Sequence, residues 1–145
     1  MKPSDLRGRI ELMIVWLAIG TSCWGYPIID VNTAFERDGQ LGFSLERCTW
    51  PHRAVVERLE IRLEEPTESY PPSILCGLQS NDRGRPQPLD RWTYGQRIDG
   101  FTVIGRCPPL NPGTYRVMVQ GAGGGSYAFS VLDGRVTGQP RRCSP

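Results

Sequence analysis

The sequence predicts an all-β protein: a single antiparallel β-sandwich of about seven short strands, following an N-terminal signal segment. Three observations support that reading. Gly 17 and Pro 13 make up about a fifth of the 145 residues, so few stretches long enough for a helix lack a helix-breaking residue. The clearest apolar pattern in the chain has period two, the repeat of a half-buried strand. The apolar runs are short, and turn-forming residues close them. A chain of this length has room for one ordinary core and no second domain.

The strands are assigned in order. Residues 23–40 read as a linker and first-strand region, and 41–145 as the sandwich. "LGFSLE" (41–46) alternates Leu41, Phe43 and Leu45. "VERLEIRLE" (56–64) alternates most regularly, with Val56, Arg58, Glu60, Arg62 and Glu64 on one face and Leu59, Ile61 and Leu63 on the other. Pro66, Pro71 and Pro72 then impose a loop. "SILCGLQ" (73–79) reads as a buried strand, "SNDRGRPQPLD" (80–90) as a long polar loop and "RWTYG" (91–95) as a short edge strand. The segments 100–107, 114–121 and 126–134 read as three further strands, and as a meander if each pairs with the next.

The first 22 residues have the layout of a secretory signal peptide. Lys2, Arg7 and Arg9 precede an apolar run from Leu12 to Gly20, then Thr21, Ser22 and Cys23. Asp5 and Glu11 dilute the positive end. The run is shorter than the roughly 20 apolar residues of a spanning helix, and a buried N-terminal element is the competing reading. "IGTSC" (19–23) resembles the lipobox of bacterial lipoproteins, in which small residues precede a cysteine that is lipidated and becomes the mature N-terminus. Gly20 stands where that family usually has an aliphatic residue. The resemblance implies lipidation of Cys23 and a membrane anchor, and simple secretion is the alternative. Cysteine parity favours the lipobox. The chain has five cysteines, so lipid on Cys23 leaves Cys48, Cys76, Cys107 and Cys143 for two disulfides. A meander would return the tail to the end of its first strand and so join Cys107 to Cys143, with Cys48–Cys76 by elimination.

"LNPGTYRVMV" (110–119) resembles immunoglobulin-like and transthyretin-like sandwich domains, in which a Pro-Gly turn precedes a Tyr that opens the penultimate strand. The resemblance implies that Tyr115 packs as a corner, its hydroxyl bonding back to the preceding turn. Val117 stands where the immunoglobulin-type domains have a cysteine, so a central inter-sheet disulfide of that type is not expected. Architecture of this kind implies no activity.

Little in the sequence points to chemistry. A net charge of +2, with arginines spread along the chain rather than gathered in one block, is too small for phosphate-driven nucleic-acid binding. Removing residues 1–22 takes away three basic and two acidic groups and leaves +1. His52 is the lone histidine, and Cys48 four residues before it would need to be a free thiolate to act as a nucleophile. "GAGGGS" (121–126) lacks the Lys-Ser/Thr ending and the following helix of a phosphate loop, and reads as a flexible hairpin loop. Glu64 and Glu65 sit beside a proline and read as solvated. No cofactor or metal site is expected. Trp50, Tyr70, Trp92 and Tyr94 lie in or beside loops and form a candidate platform for a protein or glycan partner, with core packing as the alternative. The functional expectation is a non-catalytic exported module of the bacterial envelope, anchored through Cys23, that binds or assembles with an envelope partner. The rival is a secreted inhibitor or immunity-type protein acting on an enzyme through residues 80–95.

Overall fold

A computed structural model describes residues 27–64, 73–138 and Cys143. Among them there is no helix, and ten strands lie in two antiparallel sheets packed on a shared core. In chain order they are β1 (Ile29–Phe35), β2 (Leu41–Arg47), β3 (Val55–Leu63), β4 (Ile74–Ser80), β5 (Gln87–Pro88), β6 (Arg91–Thr93), β7 (Phe101–Gly105), β8 (Gly113–Gly121), β9 (Gly123–Leu132) and β10 (Arg135–Thr137). The smaller sheet has the order β1-β2-β6 and the larger β10-β9-β8-β3-β4-β7, with β5 paired to the start of β3. The β-sandwich is as expected; the additional strands are the two- and three-residue segments β5 and β10, too short to show a period of two.

Alternation builds both inner faces. Leu41, Phe43 and Leu45 of β2 are buried, as are Leu59 and Ile61 of β3 and Tyr115, Val117 and Val119 of β8. β1 adds Ile29 and Val31. At the centre, four rings cross from one sheet to the other. Trp92 stacks on Phe43 with centroids 5.5 Å apart. Phe43 meets Phe129 of β9 edge-on at 6.0 Å, and Phe129 stacks on Tyr115 at 5.7 Å. Aromatic pairs at these separations add roughly 0.5–1.5 kcal/mol each beyond their buried area.

Val56 departs from the simple alternation. It is fully buried, on the same face as Leu59, although it shares the parity of Arg58. The register between β3 and β8 shifts between Val56 and Arg58. The extra residue of this bulge, Glu57, reverses the parity upstream of it. The meander also gives way to another arrangement. β8 and β9 form a long hairpin, but β7 pairs with β4, and β8 returns to lie beside β3. The resulting order β8-β3-β4-β7 is the spatial order of a Greek key.

This topology changes the disulfides. All four described cysteines are paired, as Cys76–Cys107 and Cys48–Cys143 rather than Cys48–Cys76 and Cys107–Cys143. Because Gly105 of β7 pairs with Cys76 of β4, Cys107 leaves its strand beside Cys76 and is captured there. The tail is then free to meet Cys48.

"GAGGGS" is not a flexible loop. Gly121 and Gly123 pair across Ala122, and β9 continues through Gly124 and Gly125. A Cβ on Gly121 would lie 2.1 Å from the Val55 carbonyl oxygen, and one on Gly125 would lie 2.5 Å from that of Ile29. These glycines let the hairpin approach β3 and β1 more closely than any side chain permits. Tyr115 behaves as a corner: its hydroxyl donates to the Asn111 carbonyl at 2.6 Å. Losing that bond in Tyr115→Phe should cost about 0.5–1.5 kcal/mol. Trp92→Ala and Tyr115→Ala should each cost about 3–5 kcal/mol. Denaturant titrations of the three variants check both ranges, and non-reducing peptide mapping should recover Cys48 linked to Cys143.

Candidate functional site

The four candidate platform aromatics do not come together. Trp92 is fully buried in β6, stacked on Phe43, with its indole N–H donated to the Gln96 carbonyl at 2.9 Å. It belongs to the core and offers a partner no surface. Its polar sequence neighbours Asp90, Arg91 and Thr93 obscured this, because a three-residue strand with one inward residue shows little alternation. Tyr94 packs against the core. Its hydroxyl donates to the Pro108 carbonyl at 2.8 Å, and burial pushes its pKa up to about 12. Tyr70 and Cys23 lie outside the described residues. Trp50, at 83% exposed, stands apart.

The segment that presents Trp50 is tied down on several sides. β2 ends at Arg47, and the chain turns through residues 48–53 before entering β3. The Arg47 N–H donates to the His52 carbonyl at 3.0 Å, and the His52 N–H to that of Thr49 at 2.9 Å. His52 Nδ1 lies 3.1 Å from the Arg47 carbonyl oxygen. The Cys48 N–H donates to the Ile28 carbonyl at 2.9 Å, just before β1, and the Cys48 sulfur is bonded to Cys143. The Trp50–Pro51 bond at the tip is cis. The turn therefore joins the start of the first strand, the end of the second and the C-terminal tail.

Asp30 completes the junction. Burial pushes its pKa up, opposed by hydrogen bonds from Tyr127 and from the Cys143 backbone N–H, while the like charge of Glu46, paired opposite on β2, adds to the rise. The Tyr127 hydroxyl donates to the Ile29 carbonyl at 2.6 Å, and burial followed by the Asp30 charge pushes its pKa up to about 12. Asp30, Cys48 and Cys143 place ligand-type atoms close together. Both sulfurs are consumed in the disulfide, which leaves one carboxylate, too few donors for a cation. The same bond removes the thiol that a Cys48–His52 dyad would need.

A second polar feature lies on the outer face of the larger sheet. Glu60 is buried between Arg58 and Arg62 and ion-paired with both. Together with Met118 and Gln120 they line a shallow depression of about 280 Å³. Next to it Arg116 grips Glu64 through two bonds of 2.7 and 2.8 Å, and this bond holds the Glu64 carboxyl below its usual range. Glu64 is thus exposed but paired. Both carboxylates of this cluster, Glu60 and Glu64, are thus held by arginines.

The chain matches no family model, no curated protein and no solved structure. What can be assigned rests on its own residues.

The Asp30 shift has a definite sign. With its pKa raised in the fold, Asp30 favours the folded state while protonated, and this contribution is lost as pH rises from the unfolded value through the folded one. Asp30→Asn mimics the protonated form at every pH. The difference in melting temperature, variant minus parent, should therefore become more positive between about pH 3 and pH 7. Melts across that range check it, and a flat difference would contradict the shift.

Proposed function

We propose that this chain is an exported β-sandwich anchored to a membrane by lipid on Cys23, and that it binds or assembles with an envelope partner rather than catalysing a reaction. The observation that carries the reading is the pairing of cysteines. Cys48 with Cys143 and Cys76 with Cys107 account for every cysteine except Cys23, which follows the small residues Thr21 and Ser22. Two disulfides suit an oxidising compartment, and a lipidated fifth cysteine leaves no stray thiol. Binding is favoured over catalysis because the carboxylates of the two polar clusters, Asp30 at the Trp50 end and Glu60 with Glu64 on the outer face, are engaged by neighbouring groups, and the Cys48 thiol is closed in a disulfide. An inhibitor acting through residues 80–95 is the weaker alternative, since Trp92 is in the core and Tyr94 packs against it.

Cys23→Ser should move the protein from the membrane fraction to the soluble fraction, and intact mass of the wild type should show a lipidated Cys23 as the first residue. An unmodified Met1, or cleavage well past Cys23, would contradict the anchor. Affinity capture from detergent-solubilised envelopes, with wild type and Cys23→Ser compared, would then identify the partner.

A further inference from the structure

Among the described residues, the exposed large apolar side chains fall at two ends of the sandwich. Leu63 closes β3 and Leu132 closes β9, at the end where β8 begins. Ile28, 56% exposed, and Trp50, 83% exposed, are at the other end, where Ile28 bridges to Gly124 and its carbonyl holds the Cys48 N–H.

From these positions we propose that the Trp50 end of the domain faces the bilayer, with the Trp50 indole seated in the lipid headgroup region. The inference rests on the lipid anchor proposed above. Cys23 precedes Ile28 by five residues, which reach at most about 18 Å when fully extended. A lipid on Cys23 therefore keeps Ile28, and the Cys48–Arg53 turn bonded to it, close to the membrane surface. Leu63 and Leu132 then point away from it. Trp is the residue type that favours this boundary, with an apolar ring and one polar N–H. Trp50 is flanked by Pro51, His52 and Arg53, and Arg53 lies 4.0 Å from Asp90, with both side chains largely in water. Mixed charge of this kind makes the ring, rather than a basic patch, the group that engages lipid. Because the turn is closed by hydrogen bonds and a disulfide, seating the ring orders little additional chain. A protein partner at the same tip is the competing occupant, and the short tether favours the bilayer.

The test uses lipidated protein carrying Trp24→Phe, so that Trp50 and the buried Trp92 report in the mature domain. The protein is reconstituted in phosphatidylcholine–phosphatidylglycerol vesicles with brominated acyl chains, and flotation is measured alongside fluorescence. The expected result is co-flotation with bromine-dependent quenching that is lost in the Trp24→Phe/Trp50→Phe double variant. Co-flotation with no quenching, or with quenching that survives Trp50→Phe, overturns the orientation and leaves the anchor standing. Protein that fails to float with vesicles overturns the anchor and the orientation with it. A concentration-dependent emission shift without lipid, lost in Trp50→Phe, assigns the tip to a second copy of the chain and also overturns the proposal.

Discussion

Contact between Phe43 and Phe129 across the two sheets is the interaction on which the rest of the architecture depends. A three-stranded sheet cannot cover its inner face alone, and a two-layer fold is stable only when both faces are buried against each other. Phe43 and Phe129 meet at the centre of that interface, and each stacks on a second ring of its own sheet. The short strand β6 shows the dependence most clearly. It pairs with β2 at three positions only, and its one inward side chain is Trp92, held between Phe43 and the Gln96 carbonyl. The ring at the far end of the column, Tyr115, ties it to the turn before β8.

Covalent closure complements this core. The Cys48–Cys143 bond spans 95 positions, and in the chain-entropy model a loop of about 100 residues is worth roughly 4.7 kcal/mol. The Cys76–Cys107 bond spans 31, worth about 3–4 kcal/mol on the same model. The longer bond sits at the end of the sandwich that presents Trp50. The junction of β1, the turn after β2 and Cys143 is thus cross-linked by hydrogen bonds and a disulfide, and the half-buried Asp30 and Tyr127 supply further polar contacts. In the proposed orientation this junction lies nearest the membrane.

Much of the fold was legible because local alternation reports burial directly. Leu41, Phe43 and Leu45, and Leu59 with Ile61, occupy the inner faces that period two assigns them. The corner role implied for Tyr115 was also legible, in the turn before it. Misread features were set by non-local pairing. Val56 is turned inward by a bulge that no residue of β3 announces. The insertion of β3 and β4 between β7 and β8 re-partnered the four described cysteines. The glycines of 121–125 read as flexible because their reason, close approach to Val55 and Ile29, lies far away in sequence. Of the candidate platform, aromatic type and polar neighbours could not separate Trp50 from Trp92; only the strand pairing of β6 with β2 does so.

That separation, one indole sealed in the core and the other presented to solvent, tests the account most directly. Native-state hydrogen exchange of the indole N–H protons measures it. The account predicts slow exchange at Trp92, whose N–H is buried and bonded to Gln96, and immediate exchange at Trp50. Fast exchange at both would contradict a core built on the Trp92–Phe43 stack, and slow exchange at Trp50 in the lipid-free protein would contradict an exposed tip.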